Sequence, residues 1–233
     1  MKLVLFDIDG TLLWTDGAGR RAIHRALCEA LGVTRVTDGY RFDGKTDPQI
    51  VGDLLRAAGH AGADDAAIIA TVCERYVGLL QAELAAGGRA PRLLTGVVET
   101  LAALEPHETA GAAMVGLLTG NVERGAALKL RAAGLDPARF AVGAYGSDSA
   151  VRRELPAIAA RRAAVRSGRP VSGRDIVIVG DTPEDVTCGR HIGARVVAVA
   201  TGHYDRASLE AAGAALVLPD LADVAAVVQA LLA

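Results

Sequence analysis

Lys2-Leu3-Val4-Leu5-Phe6-Asp7-Ile8-Asp9-Gly10-Thr11 is the stretch on which the fold of this chain turns. Its apolar run has the composition of a buried strand, and it stops on two aspartates, a glycine and a threonine. A strand ending this way puts two carboxylates at the carboxyl edge of a sheet, where open α/β proteins bind their ligands. Carboxylates so close repel one another unless a cation, a proton or solvent compensates. Ordinary loop polarity is a poor explanation of two carboxylates followed by Gly-Thr, so the pattern points to metal-assisted chemistry.

Outward from this strand (residues 2–7), the next segment is helical throughout. Ile23, Ala26, Leu27, Ala30 and Leu31 recur at helical spacing up to Gly32. Asp47-Pro48 reads as a helix cap and first-turn proline, with Ile50, Val51, Leu54, Leu55 and Ala58 on one face and Gly59 as the stop. A third helix carries Ile68, Ile69, Val72, Cys73, Tyr76, Val77 and Leu80, and is expected to run out by Gly87-Gly88. From about residue 96 helix and strand alternate: helices over 96–104, 123–133, 152–165, 184–192, 209–212 and 224–232, strands over 114–118, 140–142, 176–179, 195–199 and 215–218. Alternation of this kind predicts an α/β fold, a Rossmann-like parallel sheet flanked by helices. The all-helical block is then an insertion after the first strand. The expected division is residues 1–13 and 91–233 for the catalytic core and 14–90 for the helical block.

The chain has 233 residues, 51% hydrophobic and 22% charged, which suits a globular protein with a sizeable core. A net charge of −2 gives no electrostatic reason to expect a nucleic acid partner. The N-terminal apolar run is too short for a secretion signal and is interrupted by Asp7 and Asp9. No uncharged run reaches the roughly 18 residues of a membrane span. Cys28, Cys73 and Cys188 are odd in number and far apart, which favours reduced thiols and a cytoplasmic location. His24, His60, His107, His191 and His203 lack metal-ligand spacing. Gly17-Ala18-Gly19 lacks the third glycine of a dinucleotide loop.

Three predicted strands end in polar clusters: Asp7-Ile8-Asp9-Gly10-Thr11, then Thr119-Gly120-Asn121, then Gly180-Asp181-Thr182-Pro183-Glu184-Asp185. A parallel sheet brings all three to one edge. A hard cation such as Mg²⁺ prefers oxygen ligands, and Asp7, Asp9 and Asp181 offer them. Thr119 and Asn121 add hydroxyl and amide donors beside a helix start, the groups that hold phosphoryl oxygens. Taken singly, Asn121 also reads as a helix cap, and Asp185 as serving only a helix start with Thr182 as cap and Pro183 in the first turn. Lys45, in Gly44-Lys45-Thr46-Asp47, is a candidate substrate contact from the helical block, with Asp47 read as a helix cap.

In order and spacing, Asp7-x-Asp9-Gly10-Thr11, Thr119 and Gly180-Asp181-x-x-x-Asp185 resemble the signature motifs of the haloacid dehalogenase-like hydrolase superfamily. The resemblance covers essentially the whole chain, and the helical block resembles the cap of the phosphoglycolate phosphatase and β-phosphoglucomutase subgroup. It implies that Asp7 is the nucleophile of an aspartyl-phosphate mechanism and that Asp9 protonates the leaving oxygen and then activates water. It implies Mg²⁺ held by the carboxylate of Asp7, the backbone carbonyl of Asp9 and Asp181, with Asp185 acting through water or orienting a neighbour. Thr119 and Gly120 would bind the transferring phosphoryl group, with Asn121 supporting their loop. The family's usual lysine after the second cluster is missing from residues 145–156, where Arg152 is the expected replacement and Arg153 the alternative.

The expectation is a Mg²⁺-dependent phosphatase of a small phosphorylated metabolite, phosphoglycolate-like, monomeric or homodimeric. The rivals are a sugar phosphomutase using the same aspartates, a 2-haloacid dehalogenase, which needs neither Asp9 nor the metal cluster, and a non-enzymatic phospho-ligand binder.

Overall fold

The computed structural model describes residues 1–36, 39–86 and 90–233. Strand β1 (Lys2–Phe6) is followed by a short strand β2 (Leu13–Trp14), helices α1 (Ala18–Leu31), α2 (Asp47–Ala57) and α3 (Ala66–Ala85), and a second short strand β3 (Arg92–Leu93). Then come α4 (Val97–Thr109), β4 (Ala113–Leu118), α5 (Glu123–Ala132), β5 (Val142–Ala144), α6 (Leu155–Ser167) and β6 (Ile176–Gly180). The chain ends with α7 (Pro183–Cys188), β7 (Arg195–Val199), α8 (Arg206–Ala212), β8 (Leu216–Leu218) and α9 (Val224–Leu232).

Six strands form one sheet in the order β5-β4-β1-β6-β7-β8, each neighbour parallel to the next. This is the α/β, Rossmann-like architecture that the alternation predicts. Successive strand residues face opposite sides, and both sides are covered. Val4, Phe6, Val115, Leu117, Val177 and Val179 pack with α4, α5 and α9. Leu3, Leu5, Met114, Leu118, Ile176 and Ile178 pack with α6, α7 and α8. Strand β1 lies in the middle, with Phe6 level with Leu117 on one side and Val179 on the other. That register sets Asp7, Thr119 and Asp181 at a common edge.

The three helices α1–α3 make a hydrophobic core of their own, built on Ile23, Leu27, Val51, Leu55, Tyr76 and Leu80. The chain leaves the sheet region through β2 and returns through β3, and these pair antiparallel, Leu13 with Leu93 and Trp14 with Arg92. Two-residue strands carry no periodicity, which is why sequence patterning misses them. The block is seated on the sheet edge through the start of α2. There the Asp47 N–H donates to Gly120 O (2.7 Å) and the Thr46 hydroxyl donates to Ala150 O (2.8 Å).

Several boundaries differ from expectation. Thr46, not Asp47, caps α2, its hydroxyl accepting from Gln49 N; Asp47 is the first helical residue. The strand expected at 140–142 begins at Val142, because the 3₁₀ turn Pro137–Arg139 closes on Phe140 and leaves its ring packed in the core. The helix expected over 184–192 breaks at Gly189 into α7 and a 3₁₀ turn, where a Cβ would run into Ile178 and Ala194. The helix expected from residue 152 starts at Leu155 after a 3₁₀ turn, with Pro156 in its first turn. Helix α4 continues past Leu104 and Pro106 to Thr109. Helix α3 ends at Ala85, and its expected stop at Gly87-Gly88 lies outside the described residues. Among the described residues no helix is long and apolar enough to cross a membrane.

Leu80 is fully buried in the helical block, whereas Val165 on α6 is 86% exposed. Leu80→Ala is expected to lower stability by about 2–5 kcal/mol in denaturant unfolding, and Val165→Ala by about 0.5 kcal/mol or less. Equal effects would contradict a packed core among the three helices.

Candidate active site

Asp7 follows the last residue of β1, and its N–H donates to Val179 O (2.9 Å), which continues the ladder with β6 by one residue. Its carboxylate is buried beside those of Asp181 and Asp185, with one oxygen from each lying within 4.8 Å of the others. Asp181 accepts from the Thr11 hydroxyl (3.1 Å). It is also hemmed in by Gly10 and Gly202, where any Cβ would overlap its carboxylate. Asp185 closes a reciprocal capping box at α7: its Oδ2 accepts from Thr182 N (3.0 Å) and Oγ1 (2.6 Å), and its N–H donates back to Thr182 Oγ1 (3.2 Å). Its other oxygen accepts from Arg152 Nη2.

Arg152 is buried, and its Nη2 also stands 3.5 Å from Asp7 Oδ1; Arg153 is exposed. The Arg152 Nε is buried without a hydrogen-bond partner among the described residues. Burial works against the charge of Arg152, but the carboxylates of Asp185 and Asp7 outweigh it and hold the pKa above its usual value. The cluster thus has three carboxylates against one guanidinium, a deficit of two positive charges if all are ionised. Burial, only partly opposed by Arg152, raises Asp7 from 3.8 to about 7. Asp181 is raised well above its ordinary value by burial and then by its neighbours Asp185 and Asp7. Hard oxygen donors, buried together and short of two positive charges, fit a divalent cation.

Asp9 stands apart from this cluster. Its side chain is 34% exposed, and its Oδ2 accepts from Asn121 Nδ2 (2.9 Å) and Lys129 Nζ (2.6 Å). Asn121 in turn donates to Thr119 Oγ1 (2.8 Å) and accepts from Lys129 Nζ (2.6 Å) through Oδ1. The fully buried Thr119 is fixed by its N–H to Ala144 O (3.0 Å). Gly120 has no room for a side chain, because a Cβ would overlap the Lys45 carbonyl. Asp47 reaches in from the helical block and accepts from Val122 N (2.8 Å). Burial raises its carboxyl to about 6 against the pull of Lys129.

Of the residues singled out from sequence, Asp7, Asp9, Thr119, Gly120, Asn121, Arg152 and Asp181 all line one cavity of about 470 Å³. This volume is in the range of small-molecule sites. Asp185 sits behind that wall. Lys45 also lines the cavity, but its ammonium pairs within the helical block with Asp53 (3.2 Å) and Tyr40 Oη (2.9 Å). His203 meets Trp14 in a tilted ring contact, centroids 5.4 Å apart, and sits 3.3 Å from Asp43, so it is a rim residue. Burial pushes the thiols of Cys73 and Cys188 up to about 12, which argues against either as a thiolate nucleophile.

Lys129 is the residue that sequence reasoning passes over. Its signal is its place on α5: with Ala126 and Leu130 it falls at i, i+3 and i+4 on the buried face, in a chain that carries most of its positive charge on arginine. A lysine on an apolar stripe needs a partner, and here that partner is Asp9.

The chain belongs to the haloacid dehalogenase-like hydrolase family, whose model matches residues 4–190. Solved structures share the fold. CbbY from Rhodobacter sphaeroides, in complex with xylulose-(1,5)bisphosphate, is similar with a TM-score of 0.73 at 24% identity, over 96% of both chains. A predicted phosphoglycolate phosphatase from Haemophilus somnus 129PT gives 0.66 at 19% identity over 98% of both chains. A putative β-phosphoglucomutase from Thermotoga maritima gives 0.61 at 20% identity over 99% of both. No curated protein sequence matches the chain significantly.

A carboxyl whose pKa rises on folding stabilises the fold only while it keeps its proton. For Asp7 that contribution is complete below about pH 4 and is lost as the pH rises through about 7. Protein stripped of divalent ions is therefore expected to lose thermal stability between about pH 4 and pH 7. Added Mg²⁺ should raise Tm more at the upper end of that window than at the lower. A Mg²⁺ shift independent of pH would argue that the ion binds elsewhere.

Proposed function

We propose that the protein is a Mg²⁺-dependent phosphatase of small phosphorylated metabolites, acting through an aspartyl-phosphate on Asp7. The observation that carries this reading is the separation of the two aspartates into different surroundings. Asp7 is buried among carboxylates and Arg152, while Asp9 is partly open to the cavity and held by two donors. Two carboxyl groups kept in distinct environments are suited to distinct roles, here attack and proton transfer.

Asp7 and Asp181 would hold the cation with the backbone carbonyl of Asp9, and Asp185 would contribute through water and by fixing Arg152. When bound, the cation would offset the repulsion between the anionic nucleophile and the anionic phosphoryl group. Arg152 adds a fixed positive charge beside Asp7, and the Thr119 hydroxyl and Gly120 N–H offer donors to phosphoryl oxygens. In the first step a carboxylate oxygen of Asp7 forms a bond to phosphorus. The bond to the leaving oxygen breaks, and that oxygen takes the proton of Asp9. In the second step a water oxygen bonds to phosphorus, its proton passes to Asp9, and the bond to Asp7 breaks to free phosphate.

Residues 14–90 would act as a cap over a core of residues 1–13 and 91–233, its seating on Gly120 and Val122 excluding bulk water from the reacting groups. The cavity volume suits a short phosphorylated acid or sugar. Lys45 would meet such a substrate while held by Asp53 and Tyr40, which use two of its three N–H donors.

Asp7→Asn is expected to abolish Mg²⁺-dependent release of phosphate from p-nitrophenyl phosphate; unchanged turnover would sink the mechanism. Analysis of products from a panel of phosphorylated metabolites should yield free phosphate. An isomeric sugar phosphate in its place would replace the phosphatase reading with that of a mutase. Gly202→Ala, whose Cβ would press on the Asp181 carboxylate, is expected to raise the Mg²⁺ concentration for half-maximal activity by about 10–100-fold. An unchanged requirement would remove Asp181 from the cation site.

A further inference from the structure

Lys129 is buried and charged at the centre of the site, yet neither step above uses it. Its Nζ donates to Asp9 Oδ2 (2.6 Å) and to Asn121 Oδ1 (2.6 Å). Asn121 Nδ2 donates to the same Oδ2 of Asp9 (2.9 Å). The three side chains form a closed triangle in which Asp9 Oδ2 carries both donors. Among the described residues Asp9 Oδ1 accepts no hydrogen bond. Lys129 lines the cavity with Gly19 and Tyr76 beside it: a Cβ added to Gly19 would stand 3.1 Å from the ammonium and 3.6 Å from Tyr76 Oη.

We propose that Lys129 is a positioning residue for proton transfer: it clamps Oδ2 of Asp9 so that Oδ1 is the atom that gives and takes the proton. The inference rests on the hydrolase reading. In the first step the Oδ1–H bond of Asp9 breaks as the leaving oxygen gains that proton and the electron pair of its bond to phosphorus. In the second step Oδ1 recovers a proton from the attacking water as the bond between phosphorus and Asp7 breaks. A clamp on Oδ2 restrains rotation of the carboxyl group and keeps Oδ1 turned the same way in both steps, which is the source of rate in oriented general acid–base catalysis.

The experiment compares the unsubstituted chain with Lys129→Met and Lys129→Gln in the presence of Mg²⁺. Two esters are used: p-nitrophenyl phosphate, whose leaving group departs without a proton, and the alkyl phosphate turned over fastest in the metabolite panel, whose leaving group needs one. In Lys129→Met the first turnover of the nitrophenyl ester is expected to survive as a burst of nitrophenolate, while kcat falls about 100-fold with no rise in KM. With the alkyl ester the first turnover itself should fall about 100-fold. Lys129→Gln, which keeps an N–H donor, should recover part of the loss, and it takes the place of the methionine variant if circular dichroism shows that variant unfolded. Equal losses of first turnover on the two esters, or an unchanged kcat in a folded variant, would overturn the positioning role alone. Absence of Asp7-dependent turnover in the unsubstituted protein would overturn the hydrolase reading and this inference with it.

Discussion

The mutual repulsion of Asp7, Asp181 and Asp185 is the constraint around which the molecule is arranged. Three buried carboxylates within 4.8 Å of one another are tolerable only with compensation, and the fold supplies part of it. Arg152 spans Asp7 and Asp185, Thr11 donates to Asp181, and the Thr182 turn neutralises one oxygen of Asp185 by hydrogen bonding. Each of these groups sits just beyond a strand or at a helix start, so the parallel sheet is what brings them into reach. The remaining charge deficit is what a dication would fill.

A second polar cluster lies on the other side of the same strand end. Asp9, Asn121, Thr119 and Lys129 form a hydrogen-bonded set in which each member bonds to at least one other and Asp9 Oδ1 is left over. Buried networks of this kind specify geometry more than they add stability. Asp47 ties that set to the helical block through Val122, so the position of α2 and the shape of the loop at residues 119–122 are not independent.

Much of the architecture is legible in the sequence because it rests on local signals. The apolar runs at Val4, Val115, Val177 and Val197 announce strands, and Gly32, Gly134 and Gly193 mark stops with left-handed backbone. The gathering of Asp7, Thr119 and Asp181 follows from parallel topology alone. Where local signals compete, reading fails. Phe140 looks like strand but fills the core from a turn, and at Gly189, too close to Ile178 for any side chain, α7 gives way to a 3₁₀ turn. Lys45 does line the cavity, but its pairing with Asp53, two turns into α2, has no signal in the sequence. The contact of Asp47 with Val122 joins segments 75 residues apart, and no spacing rule encodes it.

The side-by-side strands β2 and β3 carry a further consequence. Leu13 faces Leu93 and Trp14 faces Arg92, so the intervening chain begins and ends at one place on the rim of the sheet. A segment whose two ends meet is topologically a cassette: it enters and leaves at one doorway and interrupts none of the ladders of β1. The carboxylate cluster and the helical block are thereby carried on distinct stretches of chain that share one doorway at the rim and meet again where Asp47 accepts from Val122.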